Sequence, residues 1–224
     1  MIIPKNVLKS SKTIGKYEQP IIDILGQYFS HQGYEVIPHA RFNVAWGSIL
    51  SDLDLLIVMD RKLLTLVEVK SKRDSISKAR KQIERVQDYV DYAYVATEMQ
   101  MLRSPTQKMD LPSFAGILGV DVERCQVDLI KKAEWIRKAP AIASVAWLEK
   151  KCLTRITQQA LPEGYRRGLN RKWRLAEHVK NTVDADPLRE IIKEIVVCGR
   201  NCEGDCPITK HKIESTCHTT ESIS

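Results

Sequence analysis

Two largely apolar runs, 55–59 and 63–69, flank the polar triplet Asp60-Arg61-Lys62, and no other stretch restricts the fold of this chain as much. Short apolar runs separated by three polar residues read as the two strands of a buried hairpin. A turn centred on Arg61 sets residues whose numbers sum to 122 opposite one another, so Asp54 faces Glu68 and Asp52 faces Lys70. Side chains alternate along a strand, so Asp52 and Asp54 share a face, as do Glu68 and Lys70. The pattern predicts three acids and a lysine at one end of a two-stranded ribbon. A one-residue slip at the turn would change which acid meets Glu68.

That set of groups has a chemistry. Hard divalent cations take oxygen ligands, and magnesium is commonly held by one or two carboxylates together with water and substrate phosphate. A nearby lysine orients the attacking water or neutralises charge that develops on phosphorus. The alternative is a solvated strand end carrying a cross-strand ion pair, which contributes less than about 1 kcal/mol. The apolar residues on both strands leave little exposed face, and the charges gather at one end only. Both features favour a site.

Around the hairpin, Glu18 opens a helical pattern with Ile21, Ile22, Leu25, Tyr28 and Phe29 on one face, and Glu18 shares that face. A strand is expected over 34–37, a helix over 75–90 with Ile76, Ala79, Ile83, Val86 and Val90 at helical spacing, and strands over 92–96 and 114–122. His39 reads as a surface histidine beside Pro38. Trp135 and Trp147, in helix-like spacing with Ile136, Val145 and Leu148, read as core.

The sequence Asp-x(n)-Glu-x-Lys, carried here by Asp54, Glu68 and Lys70, resembles the PD-(D/E)XK nuclease superfamily of restriction endonucleases and archaeal Holliday-junction resolvases, over about residues 15 to 150. The order helix, strand, strand, strand, helix, strand is also that of the superfamily core. The resemblance implies an α/β fold with a restriction-endonuclease-like core, a mixed central sheet flanked by helices. It implies a deoxyribonuclease that hydrolyses phosphodiester bonds with Mg²⁺ or Mn²⁺ in DNA repair, recombination or defence. Asp54 and Glu68 would bind metal with the Val69 carbonyl as a further ligand, and Asp52 is the alternate acid. Lys70 would position water or steady charge. Glu18 matches a metal-proximal glutamate on the first helix; as a plain helix acid it would instead be favoured by the dipole, with Pro20 in the first turn. Gln82 matches a site glutamine, although the tyrosine four residues on in the exonuclease branch is Val86 here, and an exposed helix glutamine is the other reading. Ser51 and Leu53 flank Asp52 where the superfamily name has proline. Duplex scission uses two sites, so a homodimer is compatible with the resemblance.

With 224 residues, 43% hydrophobic and 28% charged, the chain suits a core domain with an appendage: a nuclease-like core over 1–155, a basic helical extension over 156–190 and a cysteine-rich tail over 191–224. No apolar stretch approaches a membrane span and residues 1–16 lack a signal-peptide core, so a cytoplasmic protein without a membrane partner is expected. The net charge of +7 suits a polyanion. Arg166, Arg167, Arg171, Lys172 and Arg174, interleaved with Tyr165 and Trp173, fit contacts to phosphates and bases of DNA, with Lys72 and Arg73 adding to them beside the hairpin site. The other reading is a solvated helix face with Trp173 in the core. A non-catalytic nucleic-acid-binding accessory protein with the same fold is the rival to the nuclease.

Four of the six cysteines, Cys198, Cys202, Cys206 and Cys217, fall in the tail. Four thiolates would hold Zn²⁺ or an iron–sulfur cluster, and some superfamily relatives bind such a cluster through C-terminal cysteines. The spacing departs from the common zinc pairs, and free thiols or disulfides remain open. Disorder is expected from Thr216 onward.

Overall fold

The hairpin predicted from the two apolar runs lies in the middle of a seven-stranded mixed sheet whose strands follow one another in chain order. A computed structural model of the chain describes residues 7–9, 15–44, 48–59, 63–72, 74, 77–103, 110–136, 139–146, 150, 153–154, 157 and 171–198. The strands are β1 (Val7–Lys9), β2 (Glu35–Val44), β3 (Ser48–Met59), β4 (Leu63–Lys70), β5 (Tyr92–Glu98), β6 (Gly116–Asp121) and β7 (Gln126–Lys131). Strands β1 to β4 pair antiparallel, β4, β5 and β6 pair parallel, and β7 returns antiparallel to β6. The helices are α1 (Gln19–His31), α2 (Ser77–Val86), α3 (Met99–Leu102), α4 (Ile142–Ala146), α5 (Lys172–Thr182) and α6 (Ala185–Cys198). The protein is thus α/β, a mixed sheet with flanking helices.

The β3/β4 ladder runs from Met59↔Leu63 to Leu55↔Val67, every pair summing to 122. Strand β4 is central, with all residues from Leu64 to Lys70 buried, so its sequence cannot alternate apolar and polar. Odd-numbered side chains of the hairpin (Leu55, Ile57, Val67, Val69) pack with Ile21, Ile22, Leu25 and Phe29 of α1 and with Ala96, Leu118 and Val120. Each such side chain, fully buried, contributes about 1.5–3 kcal/mol. The even-numbered side chains point to the opposite face. Helix α2 links β4 to β5 and packs on β3 and β4. A parallel pair requires such a crossover.

Strand β2 extends through Pro38, past the end expected at residue 37. The β2/β3 ladder skips one step between Pro38↔Leu55 and Ala40↔Leu53, where His39 has φ 51°. The register is unchanged across this gap and shifts instead between Phe42 and Asn43. His39 itself is half-buried. Strands β1 and β7 were not legible as strands: β1 has three residues, and β7 leaves Leu129 and Ile130 about half exposed. Trp135 is a correction. It lies after β7 rather than on a helix, is 46% exposed, and has its ring centroid 6.2 Å from that of Tyr92. Trp147 lies outside the described residues.

The chain divides into two compact units, Met1–Ile136 and Arg137–Ser224, and the boundary expected near 155 falls inside the second. In the second unit α4 packs against α5. Helix α5 buries Leu175, Ala176 and Val179, and α6 buries Leu188, Ile191 and Ile192. Lys193, also buried, pairs with Glu190 at 2.7 Å. No helix among the described residues is long and apolar enough to cross a membrane.

Candidate functional site

Glu68 and Lys70 stand at the carboxyl end of β4, where it runs parallel to β5, and crevices at that end of parallel strands are where α/β proteins commonly bind ligands. Asp54 lies on β3, one step beyond the last β3/β4 pair. Its Oδ2 accepts a hydrogen bond from Val69 N–H at 2.8 Å. The N–H and C=O of one strand residue point the same way, so the Val69 carbonyl faces the same gap between β3 and β4. Lys70 Nζ donates to that carbonyl at 3.1 Å and forms a direct ion pair with Glu68 Oε1.

These groups are removed from water: Asp54 is 5%, Glu68 0% and Lys70 6% exposed. Burial pulls the Lys70 pKa down, but the charge and hydrogen bond of Glu68 and the charges of Asp54 and Asp74 outweigh it. The net direction is upward from the ordinary lysine value, so beside Glu68 the Lys70 side chain is held as an ammonium.

Asp74 belongs to this cluster, and the sequence reading missed it. Its Oδ2 accepts from Ser71 N at 3.0 Å and Ser71 Oγ at 2.6 Å, and its own N–H donates to Ser71 O at 2.9 Å. Burial pushes the Asp74 carboxyl up, but the Ser71 hydrogen bonds, the Lys70 charge and a hydrogen bond with Glu18 carry it net below the usual carboxylate range. The spacing Ser71-x-x-Asp74, a serine followed three residues on by an acid, could have flagged this turn.

Glu18 therefore reaches the edge of the cluster, where it helps to lower the Asp74 carboxyl. Glu18 also occupies the N-cap of α1 without capping it, its Oε2 3.4 Å from Gly15 N. Lys72 lies with Nζ 5.4 Å from the Tyr17 ring centroid, a cation–π distance. The start of α1 and the segment after β4 are thus joined by two polar contacts.

Other expected residues stand apart. Asp52 lies across from Arg41 of β2, half-buried, and the β3/β4 ladder ends before it would meet Lys70. Gln82 is half-buried on α2. Arg80 of α2, a further cation beyond the hairpin, is engaged by Glu84 at 2.9 Å and by Asp110. Arg73, Arg166 and Arg167 lie outside the described residues, as do Cys202, Cys206 and Cys217; Cys198 is described only as the last backbone position of α6. In the second unit Arg171 and Arg174 are exposed and Lys172 half-buried. Trp173 between them is 53% exposed and so is not core.

The oxygen donors at the hairpin are two carboxylates and one backbone carbonyl, a composition suited to a hard divalent cation. Among the described residues no group of three or more His, Cys, Asp and Glu side chains is arranged to hold a metal ion.

No family model and no curated protein matches the chain. A solved structure described as a protein of unknown function from Silicibacter pomeroyi is similar at 18% identity, over 70% of this chain and 99% of that one, with a TM-score of 0.42.

Proposed function

We propose that the first unit is a PD-(D/E)XK-type nuclease core that hydrolyses DNA phosphodiester bonds with Mg²⁺ or Mn²⁺. The observation that carries this reading is the convergence of Asp54, the Val69 peptide, Glu68 and Lys70 in a buried gap between β3 and β4. The element order α1-β2-β3-β4-α2-β5 and the parallel β4/β5 pair support the restriction-endonuclease-like core. Lone acids at a strand end would be solvated. These are not.

In this reading Asp54 and Glu68 would hold the cation with help from the Val69 carbonyl. A cation there would polarise the phosphoryl oxygen and lower the pKa of a bound water. Lys70 keeps its proton and offers N–H donors to a phosphate oxygen as charge builds. Asp74 and Ser71 fix the turn that follows Lys70. Burial strengthens each of these interactions. Lys72 near the hairpin, and Arg171, Lys172 and Arg174 with exposed Trp173 in the second unit, supply the kinds of group that bind DNA phosphates and bases. The basic and cysteine-rich C-terminal segments belong to the same proposal as an extension of the core, with Zn²⁺ or an iron–sulfur cluster as the cargo the cysteines would suit.

One observation favours the rival, a nucleic-acid-binding protein without catalysis. The Lys70 ammonium contacts both Glu68 and the Val69 carbonyl, two of the three expected ligands, so it stands where a cation would. Incubating the protein with linear, circular, single-stranded and branched DNA, with and without Mg²⁺, separates the two. The nuclease cleaves at least one substrate only with metal, and Lys70→Ala loses cleavage while retaining binding. Binding without cleavage of any substrate would move the assignment to the rival.

A further inference from the structure

A cavity of about 400 Å³ opens between α1 and the sheet at the other end of β4, lined by Tyr28, Tyr34, Tyr92, Tyr94, Thr65 and Lys132 among others. Thr65 and Glu68 are three residues apart on one strand, so they stand roughly 10 Å apart along β4 with their side chains on opposite faces of the sheet. The cavity volume lies within the range of small-molecule sites, about 300–1,000 Å³.

Three features mark it as more than a packing fault. The Thr65 hydroxyl is buried, in a residue 2% exposed, and has no hydrogen-bond partner among the described residues. Buried hydroxyls are almost always paired, and an orphan lining a cavity calls for a partner supplied from outside. The wall is also shaped: the Tyr94 ring lies against Gly116 so closely that a Cβ there would stand 2.4 Å from ring carbon Cε1. Only glycine lets the ring take this position. Finally, among the described residues no Asp or Glu lines the cavity, and the charged residue that does is the exposed Lys132.

We infer that this cavity binds a small planar aromatic acid, its ring among the four tyrosines, a polar ring atom on the Thr65 hydroxyl and its carboxylate at Lys132. Aromatic rings stack or meet edge-to-face with tyrosines, and each such pair adds to the area it buries. This site is independent of the nuclease reading. Loss of cleavage in Lys70→Ala leaves it intact.

The test is calorimetric titration of the full chain with indole-3-acetate, and with tryptamine as a cationic counterpart of the same ring. Indole-3-acetate is expected to bind saturably with Kd below about 1 mM, and tryptamine at least roughly tenfold more weakly. Thr65→Val should weaken indole-3-acetate several-fold while raising the melting temperature of the free protein, because it removes an unsatisfied buried hydroxyl. Lys132→Glu, at an exposed position that folding tolerates, should abolish the preference for the anion. The inference is overturned by no saturable binding of indole-3-acetate, by equal binding of tryptamine, or by affinities unchanged in both variants.

Discussion

Replacing Lys70 by alanine removes the counter-charge of a carboxylate that is 0% exposed. Breaking one partner from a buried ion pair costs about 3–5 kcal/mol, because the remaining charge stays buried and uncompensated. Here the upper half of that range is expected, since the charges of Asp54 and Asp74 also act on the Lys70 ammonium and would lose that compensation. If Glu68 and Asp54 are metal ligands, a divalent cation replaces the lost charge. At a free concentration about 100 times Kd it returns about 2.7 kcal/mol to the folded state. Urea unfolding of wild type and Lys70→Ala near neutral pH, with and without Mg²⁺, reads both quantities. The double variant Lys70→Met/Glu68→Leu is the control: exchanging a whole buried pair for apolar groups is commonly neutral or stabilising by about 1–4 kcal/mol. The expected pattern is a large loss in the single variant, restored in part by metal, and little loss in the double. A loss below about 1 kcal/mol in Lys70→Ala would refute the reasoning, since the pair would then behave as a solvent-screened surface bridge.

Asp54→Asn and Glu68→Gln should each lower metal-dependent cleavage by about 100-fold or more at saturating substrate, measured by single-turnover DNA cleavage. Asp91, 1% exposed, accepts from Leu64 N at 2.8 Å while its own N–H donates to Leu64 O at 2.7 Å; Asp91→Ala should cost about 1–3 kcal/mol in urea unfolding with no change in metal affinity. The depressed Asp74 pKa stabilises the fold above the unfolded value of about 3.9, and this contribution is lost as pH falls through the lower folded value. The raised Lys70 pKa acts oppositely: its contribution is complete below about 10.4 and is lost as pH rises through the higher folded value. Asp74→Asn should therefore flatten the acid limb of a stability–pH curve and, because the Asp74 charge also helps to raise the Lys70 pKa, shrink the alkaline limb by a smaller amount. Removing Arg171 and Arg174 together should weaken DNA binding across sequences and reduce the slope of log K against log salt by about 2.

The hairpin was legible because two features agree. The polar triplet 60–62 fixes the turn, and two strands buried on both faces admit one register without displacing charge into the core. Helix α1 was legible from its apolar face, and α2 from Ala79, Ile83 and Val86, all buried. The site was read in part. Alternation on β4 puts Glu68 and Lys70 on one face, and the register brings Asp54 to them. The pairing of Asp52 with Lys70 failed for a local reason: the β3/β4 ladder ends at Leu55↔Val67, and Asp54 bonds the Val69 peptide with its side chain instead. Asp74 was missed because its role comes from a turn, where no periodicity exists to place a side chain. Trp135 misled because spacing with Ile136 imitates a helix, whereas the segment is irregular and Trp135 lies near Tyr92 at the surface.

Titration of Mn²⁺ into the metal-free protein, followed by electron paramagnetic resonance, addresses the central claim most directly. One ion should bind per chain in wild type, and Asp54→Asn and Glu68→Gln should each lose it, while a surface control such as Lys78→Gln binds normally. Undiminished uptake by both carboxylate variants, or none by wild type, would mean that the groups between β3 and β4 do not meet at a cation.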